Sequence, residues 1–195
     1  GAQTSSMRHF RLIVIGASAG GLEALKRVLT DLPAKLPAAV AVVLYTHATS
    51  PRYMAGILDR HSSLPVAYAI DRDELGLGRV YLAPPGTNLV VRQTRRLGLD
   101  SGPKFNFHRP TADALFTSAA RVFGRQVIGV VLTGGDGDGS RGLQEVKKHG
   151  GTSVVQSPAD AQASGMPINA ILHDSPDYVL PLDRLGSLLK TLVAT

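Results

Sequence analysis

The stretch LIVIGASAGGLEAL, from Leu12 to Leu25, decides the fold of this 195-residue chain. Its apolar, β-branched beginning, Leu12 to Ile15, is typical of a buried strand. Small residues follow from Gly16 to Gly21 and predict a tight turn. The apolar spacing after that turn predicts a helix over about Gly21 to Thr30. The order strand, turn, helix places one hydroxyl group, that of Ser18, at the apex of the turn.

The five residues from Gly16 to Gly20 match the pattern G-x-S-x-G, which is typical of a serine nucleophile on a sharp turn. Small neighbours allow the turn and leave room for a substrate. The N-terminal N–H groups of the following helix point towards the hydroxyl, where they stabilise a developing negative charge. The pattern alone is weak, because glycine-rich turns after a first strand are common.

Other interpretations of the same glycines fail on particular residues. A dinucleotide fingerprint needs a second glycine where Ser18 stands, and a phosphate-binding loop needs Lys-Ser or Lys-Thr where Leu22-Glu23 stand. The segment from Asp136 to Gly139 is similar to the start of a calcium loop, but further acidic ligands are missing. The histidines show no metal-ligand spacing. We therefore expect neither a cofactor nor a metal.

Composition excludes several classes of protein. Without cysteine the chain has no disulfides and no thiolate chemistry, and no apolar run reaches the length of a membrane span. The net charge of +6 is spread along the chain, so we expect no nucleic-acid partner. Residues 1–10 lack a secretion signal and are interpreted as a tail that can include a cloning remnant before Met7. We expect one domain over residues 11–195, located in the cytoplasm, with no membrane insertion.

The rest of the chain predicts an α/β fold. Buried strands are predicted at Ala38 to Tyr45, Gln126 to Leu132 and Thr152 to Gln156, and helical segments separate them. This alternation is typical of a doubly wound, mostly parallel sheet flanked by helices. Short strands separated by glycine and proline predict a small antiparallel hairpin region at about residues 66–100, beside the main sheet.

Three reactive side chains follow three of the predicted strands: Ser18, His47 and Asp138. The carboxyl ends of parallel strands meet at one edge of a sheet, so we expect these side chains to lie together. Hydroxyl, imidazole and carboxylate form a set of nucleophile, base and orienting group. Spacing does not decide between Asp138 and its neighbour Asp136. Each residue alone has an ordinary structural interpretation as part of a loop.

The motifs IGASAGG, THATS, FNFHRPTADALF, GVVLTGGDGDGSRG and ASGMPINA together are more specific. The chain carries these motifs in this order, and over about residues 11–192 it resembles the catalytic domain of the CheB-type protein-glutamate methylesterases of chemotaxis. The resemblance implies hydrolysis of glutamate methyl esters on the cytoplasmic helices of methyl-accepting chemoreceptors, and deamidation of glutamine. It implies a catalytic triad of Ser18, His47 and Asp138, and thereby favours Asp138 over Asp136.

The resemblance also implies further site residues. The backbone N–H groups of Ala19 and Gly135 are expected to form the oxyanion hole, and Arg109 and Met166 are candidates for orienting the substrate. The chain departs from the family at Ala19, where threonine is common, at Gly135, where methionine is usual, and at Asp136-Gly137.

Many family members carry an N-terminal receiver domain, whereas this chain begins close to the first catalytic strand. We therefore expect an excised or stand-alone catalytic domain, with a separate receiver domain or regulator as a candidate partner. Two alternatives stay open at this point. One is a non-catalytic domain that keeps the fold and binds receptors or signalling partners, and the other is a hydrolase of small esters.

Overall fold

The computed structural model describes residues 10–46, 52–101 and 109–195. In this part of the chain nine strands and six α-helices are present, with two short 3₁₀ turns at 124–126 and 158–160. The strands are β1 (Leu12–Ala17), β2 (Ala39–Leu44), β3 (Val66–Tyr68), β4 (Val80–Leu82), β5 (Asn88–Val91), β6 (Leu97–Asp100), β7 (Val127–Val131), β8 (Thr152–Gln156) and β9 (Tyr178–Leu180). The helices are α1 (Gly21–Thr30), α2 (Met54–His61), α3 (Ala112–Phe123), α4 (Ser140–Lys148), α5 (Gly165–His173) and α6 (Leu182–Val193).

Seven of the strands form one parallel sheet in the order β3-β4-β2-β1-β7-β8-β9. The predicted α/β fold with a mostly parallel sheet is confirmed. The chain begins in the middle of the sheet with β1, whose Leu12 is paired with Ala39 on one side and with Val127 on the other. All six residues of β1 are buried, since helices cover both faces of the sheet.

The helices divide between the two faces. One face is covered by α1, α2 and α6, whose apolar side chains, such as Leu25, Leu58 and Leu189, join one buried cluster with the sheet. The other face is covered by α3, α4 and α5 together with the hairpin β5–β6, and Phe116 is its largest buried side chain. The site described below lies where the carboxyl ends of β1 and β7 meet the N-termini of the helices.

The antiparallel part of the fold is smaller than the sequence predicts. The strands β3 and β4 do not form a hairpin but extend the main sheet in parallel. Among the described strands the antiparallel pair is β5 with β6, and one isolated antiparallel bridge joins Glu74 to Arg96. Each of β3 and β4 has three residues, and such short runs do not show whether they lie in the core sheet or in a hairpin. The strand β6, which follows the connection at residues 92–96, was not predicted as a separate strand.

Two helix starts depend on particular residues. Thr111 precedes α3 and is its N-cap, because its hydroxyl accepts a hydrogen bond from the N–H of Ala114 at 3.2 Å. Gly20 precedes α1 with a φ of 77°, a left-handed conformation that favours glycine. No helix in the described ranges is both long enough and apolar enough to cross a lipid bilayer.

Candidate active site

The nucleophile candidate lies at the carboxyl edge of the sheet. Ser18 follows β1 directly, and the loop Thr133 to Gly139 follows β7, the parallel neighbour of β1. The N–H of Ser18 donates to the carbonyl oxygen of Thr133 at 3.0 Å, so this bond joins the two loops. The carboxyl ends of β1 and β7 therefore meet, as expected. The predicted base, His47, lies outside the described residues.

The hydroxyl of Ser18 has two close polar neighbours. Its Oγ accepts a hydrogen bond from the N–H of Gly135 at 3.3 Å and lies 3.4 Å from the sulfur of Met166, to which it donates. The N–H of Ser18 is already used by Thr133, so it is not a donor for a substrate. No acceptor in the described part of the chain engages the N–H of Ala19. The N–H of Gly135 is thus the backbone donor that contacts the hydroxyl.

Gly134 allows the close approach of these groups. A Cβ atom on Gly134 would lie 2.5 Å from the Oγ of Ser18 and 2.8 Å from the Cγ of Met166, and it would overlap the Met166 sulfur. Its backbone is fixed on both sides, because its N–H donates to Ala163 at 2.9 Å and its carbonyl accepts from Met166 at 2.8 Å. A side chain here therefore has no room unless the nucleophile or Met166 moves.

Thr133 joins the serine turn to the β7 loop through hydrogen bonds. It is almost fully buried, and its hydroxyl accepts from the N–H of Ala163 at 2.8 Å while lying 3.0 Å from the carbonyl oxygen of Ala19. Its own N–H donates to the side chain of Gln156 at 3.0 Å. Buried polar groups that are fully hydrogen-bonded keep a site in one conformation. The network connects the serine turn, the β7 loop and the start of α5.

Asp138 is placed at the N-terminus of α3. Its two carboxylate oxygens accept hydrogen bonds from the N–H groups of Ala112 at 2.7 Å and Asp113 at 3.0 Å. Burial raises the pKa of Asp138 to about 7, and the nearby charges of Asp113 and Asp136 add to this, while the two N–H donors act against it. The other candidate, Asp136, is exposed, and its Oδ1 accepts from the N–H of Asp138 at 3.0 Å.

An open cleft of about 650 Å³ leads to Ser18. Its walls come from the serine turn and the start of α1, from the end of β2, from Met54, and from the β7 loop with Gln162. The charged residues among its described lining are Glu23 and Asp136, both acidic, and Glu23 is paired with Lys26 at 2.9 Å. The N-terminus of α1 adds a positive partial charge beside the serine.

The candidate substrate-orienting residues have different positions. Met166 is buried at the start of α5 and its sulfur contacts the hydroxyl of Ser18. Arg109 precedes α3 and is not among the described residues that line the cleft. A role for either residue in orienting a substrate stays a prediction. Across residues 10–46, 52–101 and 109–195, no group of three or more histidine, aspartate or glutamate side chains is arranged to hold a metal ion.

Three residues of the site were not anticipated from the sequence. They are Thr133, whose hydroxyl joins two loops, Asp113, which accepts hydrogen bonds from the start of α4, and Gln162, whose side chain lies over Gly20 in the cleft. A threonine directly after an apolar strand and an aspartate in the first turn of a helix are the only local signals, and both are common in loops and helix caps. Gln162 has no local signal, because its position depends on how the loop before α5 folds.

Comparisons of the sequence and the structure with known proteins all match proteins described as methylesterases. The sequence model described as CheB methylesterase matches residues 13–189. The chain is 37% identical over 184 residues to a protein of Leptospira interrogans that is provisionally named a protein-glutamate methylesterase/protein-glutamine glutaminase, covering 94% of this chain and 95% of that protein. It is 39% identical over 184 residues to the protein-glutamate methylesterase FrzG of Myxococcus xanthus, covering 94% of this chain and 55% of FrzG.

A protein-glutamate methylesterase/protein-glutamine glutaminase of Xanthomonas oryzae is 40% identical over 187 residues, with 94% of this chain and 52% of that protein covered. The chain thus spans nearly all of the Leptospira protein and about half of the other two. Among solved structures, the catalytic domain of the CheB methylesterase of Thermotoga maritima superposes with a TM-score of 0.87 at 34% identity, over 93% of this chain and 98% of that domain. The chain belongs to the CheB methylesterase family.

Proposed function

We propose that the protein is a serine hydrolase that removes methyl esters from glutamate residues of chemoreceptors and also deamidates glutamine residues at such sites. The observation that carries the proposal is the hydrogen bond from the N–H of Gly135 to the Oγ of Ser18, both of which line the cleft. Family membership supports the substrate class, because relatives that match over most of this chain are named for these two activities. Their names support the enzyme and not the alternative of a non-catalytic binding domain.

In the proposed mechanism the Oγ of Ser18 attacks the γ-carbonyl carbon of the ester and passes its proton to His47. Asp138 orients His47 and stabilises the imidazolium that forms. That imidazolium favours the ionised form of Asp138, and thus offsets the effect of burial on its pKa. The bond from the carbonyl carbon to the methoxy oxygen then breaks, the methoxy group takes the proton from His47, and methanol leaves.

Water completes the cycle. His47 accepts one proton from the water as the water oxygen attacks the carbonyl carbon of the acyl-serine. The bond from that carbon to Oγ then breaks, Oγ takes the proton back from His47, and the γ-carboxylic acid that is released loses its remaining proton to solvent. In deamidation the same steps release ammonia in place of methanol. The negative charge of each tetrahedral intermediate is held by the N–H groups of Ala19 and Gly135. The N–H of Gly135 already contacts the Oγ of Ser18, and the carbonyl of Ala19 is held by the hydroxyl of Thr133.

The acidic lining of the cleft favours release of the product. The substrate ester is neutral, whereas the product is a carboxylate. The carboxylate of Asp136 at the cleft wall disfavours a second negative charge nearby, so it weakens product binding relative to ester binding. The charge is exposed, so its effect decreases with added salt.

The experiment that tests the function is release of volatile methanol from receptor carrying radiolabelled methyl esters. We expect release by the wild type and loss of at least about 10³-fold for Ser18→Ala, because the nucleophile is removed. Ser187→Ala, an exposed position on α6, is the matched control and should keep the wild-type rate. Equal release by wild type and Ser18→Ala, or no release by the wild type, contradicts the proposal.

A second measurement separates the alternatives. A fluorophosphonate probe should label Ser18 in the wild type and not in Ser18→Ala. Absent labelling with receptor binding intact would support the non-catalytic domain. Turnover of p-nitrophenyl acetate that far exceeds turnover of receptor ester would support the hydrolase of small esters.

A further inference from the structure

The helices α3 and α4 begin side by side, and each is capped by a carboxylate from the start of the other. Asp138, just before α4, accepts hydrogen bonds from the first N–H groups of α3, those of Ala112 and Asp113. In return, the Oδ1 of Asp113 accepts from the N–H of Gly139 at 3.1 Å and of Gly142 at 2.7 Å, at the start of α4. The carboxylate of each aspartate therefore caps the N-terminus of the other helix, where a negative charge is stabilised.

Two glycines make this exchange sterically feasible. Gly139 precedes α4 with a φ of 95°, which favours glycine. A Cβ on Gly142 would lie 2.6 Å from the Cβ of Phe116 and 3.2 Å from the Cα of Asp113. Glycine at this position thus lets the first turns of α3 and α4 approach closely enough for the side chain of Asp113 to reach two N–H groups.

We propose that Asp113 is a positioning residue of the hydrolytic site, which holds the Asp138 carboxylate in place. The inference rests on the proposed function, since it assigns Asp113 a role only through Asp138. Asp113 acts on Asp138 from two directions. Its backbone N–H holds the Asp138 carboxylate, and its side chain holds Gly139, the residue that follows Asp138 in the chain. Rotation of the Asp138 side chain and displacement of its backbone are therefore both opposed by one residue.

The charge of Asp113 gives the proposal a measurable signature. Asp113 from α3 and Asp136 from the same loop both face Asp138, and both negative charges raise its pKa, in addition to burial. Removal of the Asp113 charge should therefore let Asp138 ionise at lower pH. The acid limb of the pH–rate profile should therefore move towards lower pH.

The informative variant is Asp113→Asn, which keeps an oxygen acceptor for Gly139 and Gly142 but removes the charge. We expect the ratio of its kcat/KM to that of the wild type to be about threefold to tenfold higher at about pH 6 than at about pH 8. Asp113→Ala removes the acceptor as well. We expect a loss in kcat of about tenfold to a hundredfold at both pH values, and faster hydrogen exchange of the Gly139 and Gly142 amides.

Asp59→Asn is the matched control. The Oδ1 of Asp59 accepts a hydrogen bond from the N–H of Val66 at 2.9 Å, at the start of edge strand β3. This variant therefore also removes the charge of a carboxylate that accepts a backbone hydrogen bond, while it keeps an acceptor. It should leave the pH profile unchanged. If Asp113→Asn shifts the acid limb no further than Asp59→Asn does, and lowers only the melting temperature, Asp113 is a structural cap and the proposal is overturned.

Titration of the Asp138 carboxyl carbon by NMR makes the result independent of turnover. We expect a lower titration midpoint in Asp113→Asn than in the wild type and in Asp59→Asn, and equal midpoints overturn the proposal. A wild-type protein that releases no methanol contradicts the proposed function instead, and the positioning role falls with it, even where the NMR titration shows that Asp113 governs the ionisation of Asp138.

Discussion

Substitution of Gly134 by alanine should disable the site through a single methyl group. The added Cβ would lie 2.5 Å from the Oγ of Ser18 and inside the contact distance of the Met166 sulfur. Ordinary van der Waals contact begins at about 3.4 Å, so the serine oxygen has to retreat by close to 1 Å unless the backbone moves. The backbone is held by the bonds of Gly134 to Ala163 and Met166. The side chains of Ser18 and Met166 therefore yield first.

The size of the effect follows from these distances. A displacement of about 1 Å in a catalytic group costs about 10²-fold in rate, and insertion of a methyl group into packed surroundings costs about 1 to 3 kcal/mol of stability. Gly134→Ala should thus lower kcat by about 10²-fold and reduce the free energy of unfolding by about 1 to 3 kcal/mol. The φ of Gly134 is not in the left-handed range, so the loss is steric and not conformational.

The assay compares neighbouring glycines. Methanol release gives the activity, urea unfolding gives the stability, and labelling of Ser18 by a fluorophosphonate reports on the nucleophile alone. A Cβ on Gly135 or on Gly56 meets no described atom within 4 Å. We expect Gly135→Ala to keep wild-type stability with a smaller loss of rate than Gly134→Ala, and Gly56→Ala, in the exposed middle of α2, to keep the wild-type rate. A Gly134→Ala variant with wild-type activity, or one that loses no more than Gly135→Ala, refutes the steric argument.

Two further predictions concern the partners of this turn. Burial raises the pKa of Asp138 to about 7, whereas an unfolded aspartate ionises near about 3.9, so between these pH values the folded protein holds a proton that the unfolded chain has lost. Wild-type stability should therefore fall by about 2 to 4 kcal/mol as pH rises through this window, and urea unfolding of Asp138→Asn across the same window should show a flatter profile. Thr133→Val removes the acceptor for the N–H of Ala163, so it should lower the free energy of unfolding in urea by about 1 to 3 kcal/mol and reduce methanol release. A Thr133→Val protein as stable and active as wild type would contradict the role of this hydroxyl.

Much of the fold was predictable because its central strands are buried on both faces. Continuous apolar runs such as Ala38 to Tyr45 have few interpretations other than a covered strand, and the helices between them carry clear amphipathic spacing. The short strands β3 and β4 were misassigned to the hairpin region, because membership in a sheet depends on long-range pairing. Their partners lie on other segments, and local residue preferences carry no information on such pairing.

The site was predictable only where chemistry follows directly from strand ends. Ser18 and an acid of the β7 loop could be proposed because a parallel sheet brings the ends of β1 and β7 together, whereas the choice of Asp138 over Asp136 came from the family resemblance. The role of Asp113 could not, because it arises from the contact of two helix starts that are far apart in sequence. Thr133 and Gln162 belong to the same class, since their functions depend on which loops meet them and not on their immediate neighbours.

The altered β7 loop of this chain is better supported than its glycines suggest. The side chain of Asp136 accepts the N–H of Asp138, and the hydroxyl of Ser140 donates to the carbonyl of Gly137 at 3.1 Å. Asp113 holds the far end of the loop through Gly139, and Gly134 holds its near end through Ala163. Flexibility at Gly135 and Gly137 is thus confined between residues that are fixed on both sides. Because the proposed oxyanion donor at Gly135 is a backbone N–H, it needs no side chain, and a glycine there leaves open space next to Ser18.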